Sequence, residues 1–139
     1  MGYRSDVSIE LEEKAFEAMD EAFRNLRRQH SVDDAVCLPV VRSSSGGTKI
    51  LEWTSVKWYS GYGFPEIDTV EEVLRKLSDE HSDEDGWSYC FIRIGEDSSD
   101  VEERTNNTCF SPSIYVRREI CAEYSSDDNG DYPYRTLGE

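Results

Sequence analysis

The sequence predicts a small α+β domain, built as a two-layer fold in which a mixed or antiparallel sheet is covered on one face by two helices. Two amphipathic helical segments and four strand-like segments occur along 139 residues, a length that suits a single domain. Hydrophobic residues make up 37% of the chain and include three Trp, eight Tyr and five Phe, so a core can form. Two helices cannot cover both faces of a sheet of this kind, and we therefore expect them on the same face.

The first strand and the first helix follow from the spacing of apolar residues. Val7, Ile9 and Leu11 alternate with polar residues, which is typical of a half-buried strand. From about Glu13 the spacing changes to that of a helix, with acidic residues near its start and arginines near its end, as the helix dipole favours. The apolar stripe of this helix consists of Phe16, Met19, Phe23 and Leu26.

The middle of the chain predicts a strand that changes face. An apolar segment interrupted by Pro39 favours an edge strand or a covering loop, and a turn rich in Ser and Gly follows it. Residues 48–59 are then expected to form a long strand. Its apolar positions change parity between Trp53 and Val56, which indicates either a β-bulge near Ser55 or a strand that is buried on both faces.

The second helix is predicted near Thr69, because Thr69 and Glu72 have the spacing of a capping box. Its apolar stripe consists of Val70, Val73, Leu74 and Leu77.

The remaining strands lie between polar loops. A strand that begins at Trp87 follows an acidic loop at residues 78–86 and precedes a polar loop at residues 96–107. The last strand is marked by Ile114, Val116, Ile120 and Ala122. We assign residues 1–124 to the single α+β domain and residues 125–139 to an acidic tail that we expect to be flexible.

The net charge of −15 is concentrated in one part of the chain. Between Ser78 and Arg104 there are ten acidic residues against two arginines, a net charge of −8. Such a field repels nucleic acids and anionic membranes and attracts basic surfaces, so it argues against direct binding of DNA or RNA and favours a protein partner. The ten candidate partner-binding acids are Asp79, Glu80, Asp83, Glu84, Asp85, Glu96, Asp97, Asp100, Glu102 and Glu103.

Aromatic residues supply two further candidates for partner binding. Tyr62 and Phe64 lie in a glycine-rich turn, where exposed aromatic side chains are typical interface anchors, although a place in the core is the equal alternative. Trp58 is expected in the core. Tyr3 and Arg4 precede the first strand, and we expect them to anchor the structure through packing and hydrogen bonds.

No combination of residues predicts catalysis, a metal site or a cofactor. No sequence signature places His30 or His81 beside a cysteine, and the acids lie in polar loops and not in one apolar cleft. Asp79, His81, Asp83 and Asp85 could gather a divalent ion, but a solvated acidic loop is the favoured interpretation. Glycine spacing fits neither a phosphate-binding loop nor a dinucleotide site. We therefore expect a protein that is not an enzyme.

The cysteines and the hydropathy bear on the compartment. The four cysteines, at positions 37, 90, 109 and 121, include no CxxC pair, and we expect them to be reduced thiols in a cytosol. No apolar segment approaches the roughly 20 residues that cross a bilayer, and the start of the chain has no apolar stretch of signal-peptide type. We therefore expect the protein to stay in the compartment where it is made.

Three segments of the chain carry a family resemblance. They are the Gly-Tyr-Arg-Ser-Asp-Val element at residues 2–7, Val-Lys-Trp-Tyr at residues 56–59 and Phe-Ile-Arg-Ile-Gly-Glu at residues 91–96. Together they resemble a family of short proteins encoded by bacteriophages, over most of residues 1–124. The resemblance implies a viral source and a location in the host cytoplasm, and it brings no catalytic residue with it. Small acidic phage proteins of this kind often disarm host proteins, including defence systems.

These observations predict a non-enzymatic phage protein that inhibits a host protein by occupying a basic surface. In a sharper version the carboxylates mimic the phosphates of a nucleic acid, which requires the acids of both loops to form one continuous stripe. One alternative is a structural or assembly protein that forms a homo-oligomer, such as a homodimer, through an unpaired strand edge. The other alternative is a metal-dependent enzyme.

Overall fold

The computed structural model describes residues 3–29, 38–59, 61, 64–97, 99–116, 120–125 and 137–138. In chain order its elements are β1 (Ser5–Leu11), α1 (Glu13–Gln29), β2 (Val40–Ser43), β3 (Lys49–Val56), α2 (Pro65–Glu80), β4 (Tyr89–Gly95), β5 (Val101–Thr105), β6 (Tyr115–Val116) and β7 (Ile120–Cys121). The first five strands form one sheet of order β2-β3-β1-β4-β5, and every neighbouring pair in it is antiparallel. The predicted α+β class is therefore confirmed.

Both helices pack on one face of this sheet and form the main core. Val7, Ile9 and Leu11 of β1 are at most 1% exposed, as their alternation predicts. They belong to one buried cluster with Met19 of α1 and Val70 of α2. Burial of the two apolar stripes against the same strands holds the helices side by side. The predicted covering of one face by two helices is confirmed.

The other face of the sheet carries a smaller core under the C-terminal part of the chain. Ile50 and Ile92 of the sheet are buried there together with Ile114. β6 and β7 form a two-stranded hairpin, and Val116 and Ile120 of that hairpin pack against the same cluster. The sequence analysis assigned these apolar residues to a single last strand and left this face uncovered. That assignment is wrong, because Val116 and Ile120 belong to two different, very short strands, and Ile114 and Ala122 lie outside both of them.

Glu10 of β1 attaches this C-terminal cover to the sheet. Its side chain is only 2% exposed and faces the smaller core. One carboxylate oxygen accepts hydrogen bonds from the Ser113 backbone N at 2.7 Å, the Ser113 Oγ at 3.0 Å and the Ile114 backbone N at 3.1 Å. The other accepts one from the Thr48 Oγ1 at 2.6 Å. Four donors replace the water that a buried carboxylate loses, so the cover is fixed by a polar anchor as well as by apolar contacts.

β5 is a strand that the sequence analysis interpreted as part of a polar loop at residues 96–107. It pairs with β4 along its whole length and forms one edge of the sheet. Its residues alternate between exposed and half-buried, so its polar sequence contains no apolar face to reveal a strand. Charged side chains are common on edge strands because they discourage pairing with other chains.

The start of α2 also differs from the prediction. The helix begins at Pro65, after Phe64 as its N-cap residue, and no side chain caps it. Thr69 lies in the second turn, where its hydroxyl donates to the Pro65 carbonyl at 2.7 Å. Proline at the first helical position needs no hydrogen-bond acceptor for its nitrogen, so this start signal outweighs the capping-box spacing of Thr69 and Glu72.

The β-bulge predicted near Ser55 is confirmed. Ser5 pairs with Val56 and Val7 pairs with Trp53, so two steps along β1 correspond to three steps along β3. The extra residue of the bulge therefore lies on β3. Ser55 has a φ of 54°, a conformation that non-glycine residues rarely adopt. The Asp6 carboxylate stabilises it by accepting a hydrogen bond from the Ser55 backbone N at 2.8 Å.

The end of the chain makes a contact that the sequence analysis did not anticipate. Leu137 is fully buried in the main core, and the Gly138 backbone N donates to the Asp20 carboxylate of α1 at 2.8 Å. Residues 126–136 lie outside the described residues, so the predicted tail at residues 125–139 stays a prediction. No helix among the described residues is long and apolar enough to cross a membrane.

Candidate functional site

Five of the ten candidate acids lie where α2 ends and the chain turns back toward β4. We call residues 79–85 the acidic end. All five carboxylates of this segment are on exposed residues. Asp79 forms an ion pair with Arg75 at 2.8 Å, and Glu84 contacts the His81 Nδ1 at 2.5 Å. The structure gives Glu80 and Asp85 no hydrogen bond or ion pair within the described part of the chain.

Two side chains, one buried and one half-buried, hold the acidic end in place. Asn106 is 6% exposed, and its amide nitrogen donates to the backbone oxygens of His81 at 3.2 Å and Trp87 at 2.9 Å. The Glu12 carboxylate accepts hydrogen bonds from the backbone nitrogens of Gly86 at 2.8 Å and Ser88 at 3.1 Å. The loop is therefore tied to β5 and to the start of α1. The role of these two residues could not be predicted from the sequence, since a single Asn or Glu beside a loop is common.

A groove between α1 and α2 opens beside the acidic end. Its volume is about 280 Å³, and its apolar lining comes from Ala18, Ala22, Val73, Leu77 and Trp87. The groove exists because α1 carries two alanines, four residues apart, where it faces α2. This groove was not predicted from the sequence. The two alanines beside the apolar stripe of α1 are the feature that could have indicated it.

Trp87 forms one wall of the groove and is held by its neighbours. The ring of His81 stacks on it with a centroid distance of 3.7 Å and an angle of 3° between the planes. The Lys14 ammonium lies 5.9 Å from the centre of the Trp87 ring, within the range of a cation–π contact. The Trp87 backbone N donates to the Glu84 carbonyl at 3.2 Å, so the wall and the acidic end are parts of one folded unit.

The other five candidate acids lie around the turn between β4 and β5. We call residues 96–103 the acidic turn. Here the Asp100 carboxylate contacts two guanidinium nitrogens of Arg93, at 2.8 and 3.2 Å. Glu102 contacts Arg93 at 3.1 Å and Arg104 at 3.1 Å. These carboxylates are therefore neutralised by cations of the same sheet.

The remaining acids of this turn differ among themselves. Glu96 accepts a hydrogen bond from the Arg4 backbone N at 2.9 Å. Asp97 accepts bonds from the backbone N and the hydroxyl of Ser99, and these bonds lower the pKa of Asp97. Only Glu103, on the exposed edge, has no hydrogen bond or ion pair among the described residues.

The Tyr3–Arg4 element anchors the acidic turn, as the sequence analysis expected. The Tyr3 hydroxyl donates to Asp100 at 2.8 Å and accepts a bond from the Asp97 backbone N at 3.0 Å. Arg4 donates through its guanidinium to the Ser55 carbonyl at 2.8 Å. The anchoring interpretation is therefore confirmed.

The absence of a side chain at Gly95 allows the Tyr3 hydroxyl and the Asp100 carboxylate to meet at this position. A Cβ atom at this position would lie 2.2 Å from both the Tyr3 hydroxyl oxygen and the Asp100 carboxylate. A side chain at residue 95 is therefore excluded as long as that hydrogen bond is in place. Hydrogen bonds from Arg93 and Tyr3 hold the pKa of Asp100 below its ordinary value, so the carboxylate stays charged at neutral pH.

The acidic end and the acidic turn lie at opposite ends of β4. This strand has seven residues and so separates them by about 20 Å. β5 runs between them and carries Glu102, which is paired with arginines, and Glu103, which has no partner among the described residues, before Arg104 interrupts the acids. The ten carboxylates are therefore divided between the two ends of β4, with Glu103 between them.

The aromatic candidates lie apart from the acidic end. Phe64 is half-buried at the opposite end of α2, and its ring centre is 6.4 Å from that of Tyr59. Tyr62 lies outside the described residues. Trp58 is half-buried and packs edge-on against Trp53, at a centroid distance of 5.0 Å, so it lies against the main core, where it was predicted.

A larger, open cleft between α2 and β5 has a volume of about 650 Å³ and is lined mainly by charged residues. Its central carboxylate, Glu71, accepts hydrogen bonds from two guanidinium nitrogens of Arg104 and from the Trp58 indole, each at 2.8 to 2.9 Å. Burial alone would raise the pKa of Glu71, but these bonds outweigh it and lower the pKa. Because Glu71 of α2 and Arg104 of β5 pair in this cleft, the cleft holds β5 against α2.

Two further observations concern the metal-ligating side chains and the thiols of the described residues. Within the described ranges, no three His, Cys, Asp or Glu side chains come together to bind a metal ion. Cys90 and Cys109 are free thiols. Burial, with Glu10 and Glu103 nearby, raises the pKa of Cys90 to about 12, so this thiol is protonated and unreactive at neutral pH.

Comparison of the chain with protein families, with characterised proteins and with solved structures finds no match. The geometry of the acidic end is therefore the basis for any assignment of function.

Proposed function

We propose that this protein acts by binding another protein through the acidic end, and that it inhibits its target by occupying a basic surface. The observation that carries the proposal is the pair of exposed carboxylates, Glu80 and Asp85, that have no partner among the described residues. Carboxylates without an internal cation project their field into solvent and attract a basic surface.

The loop that carries these charges also supports the proposal. Asn106 and Glu12 fix its backbone from two sides, so little conformational freedom is lost when a partner binds. Asp83 and Glu84 are exposed beside Glu80 and Asp85, and Arg75 already lies between Glu72 and Asp79. The result is a mainly acidic surface on a stable support, with Lys76 as the nearby lysine of α2.

The resemblance of the Gly-Tyr-Arg-Ser-Asp-Val element to short phage proteins completes the proposal. It suggests that the target is a bacterial host protein, such as one of an antiviral defence system, and that binding takes place in the host cytoplasm. The separation of the acidic end from the acidic turn leads us to propose occupation of a basic surface without mimicry of a nucleic acid.

Affinity capture from a bacterial lysate, followed by mass spectrometry, tests this proposal. The bait is the full chain, compared with the double variant Glu80→Gln/Asp85→Asn. A matched control, Glu103→Gln/Glu123→Gln, removes the same charge from exposed residues away from the acidic end. We expect one or more basic host proteins to be retained at low salt by the wild type and the control, and to be lost with the first variant. Equal retention by all three baits would contradict the assignment to the acidic end.

A second candidate function is assembly of a homo-oligomer through the edge of the sheet. The β2 edge is partly covered by the chain itself, because Ser125 N donates to the Ser43 carbonyl at 2.9 Å and Ser44 bridges to Tyr124. The β5 edge has no such cover within the described residues, and its Val101 is 40% exposed. Light scattering over a range of concentrations tests this candidate, since a monomer at every concentration would exclude it.

A further inference from the structure

The groove between α1 and α2 shares residues with the acidic end. Glu80 and His81 line the groove and also belong to that segment. On the opposite rim, the Glu21 carboxylate of α1 lies 3.9 Å from the Arg28 guanidinium, and Lys76 is the one lysine among the groove's lining residues. The apolar floor is therefore bordered on one side by the carboxylate of Glu80, which has no partner in the described part of the chain.

We propose that this groove receives one bulky apolar side chain from a lysine- or arginine-rich segment of the partner protein. The basic residues that flank this anchor then pair with the carboxylates of the acidic end. The inference rests on the proposed function, since it specifies how the partner is recognised at the same surface.

The size and lining of the groove favour such an anchor over a free small molecule. A volume of about 280 Å³ lies below the range of roughly 300 to 1,000 Å³ that is typical of small-molecule sites. The floor, formed by alanine, valine and leucine side chains, offers no hydrogen-bonding group to orient a polar ligand. Buried apolar or aromatic anchors next to exposed charges are the usual arrangement at the centre of a protein interface.

The groove is formed before any partner arrives. The His81 ring stacks on the Trp87 ring, and the Lys14 ammonium also contacts it. The backbone N of Trp87 donates a hydrogen bond to the Glu84 carbonyl. A wall that needs no rearrangement lowers the entropy lost on binding. The charge of the rim also opposes a second copy of this chain as the occupant, because the copy carries a net charge of −15.

Two synthetic amphipathic helical peptides test the inference. Both contain the same number of lysines, and their apolar face consists of leucine in one and of alanine in the other. Calorimetry measures their dissociation constants for the full chain at low and at physiological salt. We expect the leucine peptide to bind roughly ten-fold more tightly than the alanine peptide, because only leucine fills the groove.

Variants of the chain locate the effect. Ala22→Phe fills the groove and should remove the difference between the two peptides, whereas Gln29→Phe adds the same ring at an exposed, uncharged position of α1 and should leave the difference unchanged. Circular dichroism checks that each variant folds. If Ala22→Phe does not fold, Asn25→Trp at the rim replaces it with the same expectation.

The outcomes separate the groove from the acidic end. If the two peptides bind wild type equally, or if Ala22→Phe leaves their difference unchanged, the groove is not the anchor site. The proposed function then still stands provided that Glu80→Gln/Asp85→Asn weakens both peptides. If that variant binds both peptides as wild type does, the proposed function fails. Light scattering that shows a dimer, disrupted by Ala22→Phe, would assign the groove to a second copy and overturn the inference.

Discussion

In the acidic turn, the carboxylates of Asp100 and Glu102 converge on the guanidinium of Arg93, whereas at the acidic end Glu80 and Asp85 have no cation among the described residues. Both segments have five carboxylates, and both border β4. In the acidic turn the charges hold together a hairpin and the start of the chain. At the acidic end, Asn106 and Glu12 form hydrogen bonds with the loop backbone, the Asp83 carboxylate accepts one from the Thr108 backbone N, and Glu80 and Asp85 face solvent.

The difference shows that local charge density does not reveal which carboxylates are already paired within the protein. A carboxylate that already contacts an arginine has little potential to offer a partner, since the two charges cancel within a few ångströms. A carboxylate without such a contact keeps its field. The two regions therefore make opposite predictions, with changes in the acidic turn affecting stability and changes at the acidic end affecting binding.

The largest effect on stability is expected for Gly95→Ala. The added methyl group would lie 2.2 Å from the Tyr3 hydroxyl and the Asp100 carboxylate, so the contacts of the acidic turn must separate. We expect the free energy of unfolding in urea to fall by about 2 kcal/mol, because the displaced side chains of Tyr3 and Asp100 lose their hydrogen bonds to each other, to the Asp97 backbone and to Arg93. Gly46→Ala is the control, because its nearest neighbour is the Ser44 Oγ at 3.8 Å. A loss of the same size in both variants would contradict the account.

The next largest effect is expected for Arg93→Met. This change leaves Asp100 and Glu102 without their shared guanidinium, and we expect the free energy of unfolding to fall by about 1 to 2 kcal/mol, since the site is half-exposed. The same substitution at Arg75, which pairs with Asp79 beside the acidic end, should shift the urea midpoint much less. Equal shifts in the two variants would remove the contrast between the regions.

Much of the fold could be predicted from local patterns. The alternation of Val7, Ile9 and Leu11 identified β1, the apolar stripe identified α1, and the change of parity between Trp53 and Val56 identified the bulge. Each of these signals lies within one element, where the period of the backbone sets which residues are buried. The helices, the central strands and the helix-covered face follow from them.

The candidate site could be predicted only in part, because pairing is a long-range property. The ten acids are evident in the sequence, but the sequence does not show that Asp100 is paired with an arginine and that Asp85 is not. The pairing depends on the register of β4 and β5, which places Glu102 opposite Arg93. That register could not be predicted, because β5 has no apolar face to identify it as a strand. Asn106 and Glu12 form hydrogen bonds with a loop that is distant from them in sequence. No local sequence pattern therefore predicts their role in holding this loop.

The pH dependence of stability should also differ between the regions. Because Arg93 and Tyr3 lower the pKa of Asp100, the charged form of this residue favours the folded state. Its contribution is complete above about 3.9, the ordinary pKa of an aspartate, and is lost as the pH falls through the lower folded-state value. We expect Asp100→Asn to lose less stability than wild type between about pH 6 and about pH 2. Parallel curves of the thermal midpoint would show that Asp100 does not contribute.

The smallest effect on stability is expected for Glu80→Gln/Asp85→Asn. Neither side chain has a partner to lose among the described residues, so the urea midpoint at neutral pH should match that of wild type. A clear fall in the midpoint would show that these carboxylates support the fold, and the proposed division between the two regions would then be wrong.

The most direct test of the account is the affinity of a captured host partner for three forms of the chain as a function of salt. Wild type and Glu103→Gln/Glu123→Gln should bind with the same dissociation constant and the same steep dependence on salt. Glu80→Gln/Asp85→Asn should bind roughly ten-fold more weakly at low salt, with a shallower dependence, because the steering charges are removed. Equal weakening by both double variants would contradict the account, since net charge and not the acidic end would then determine binding.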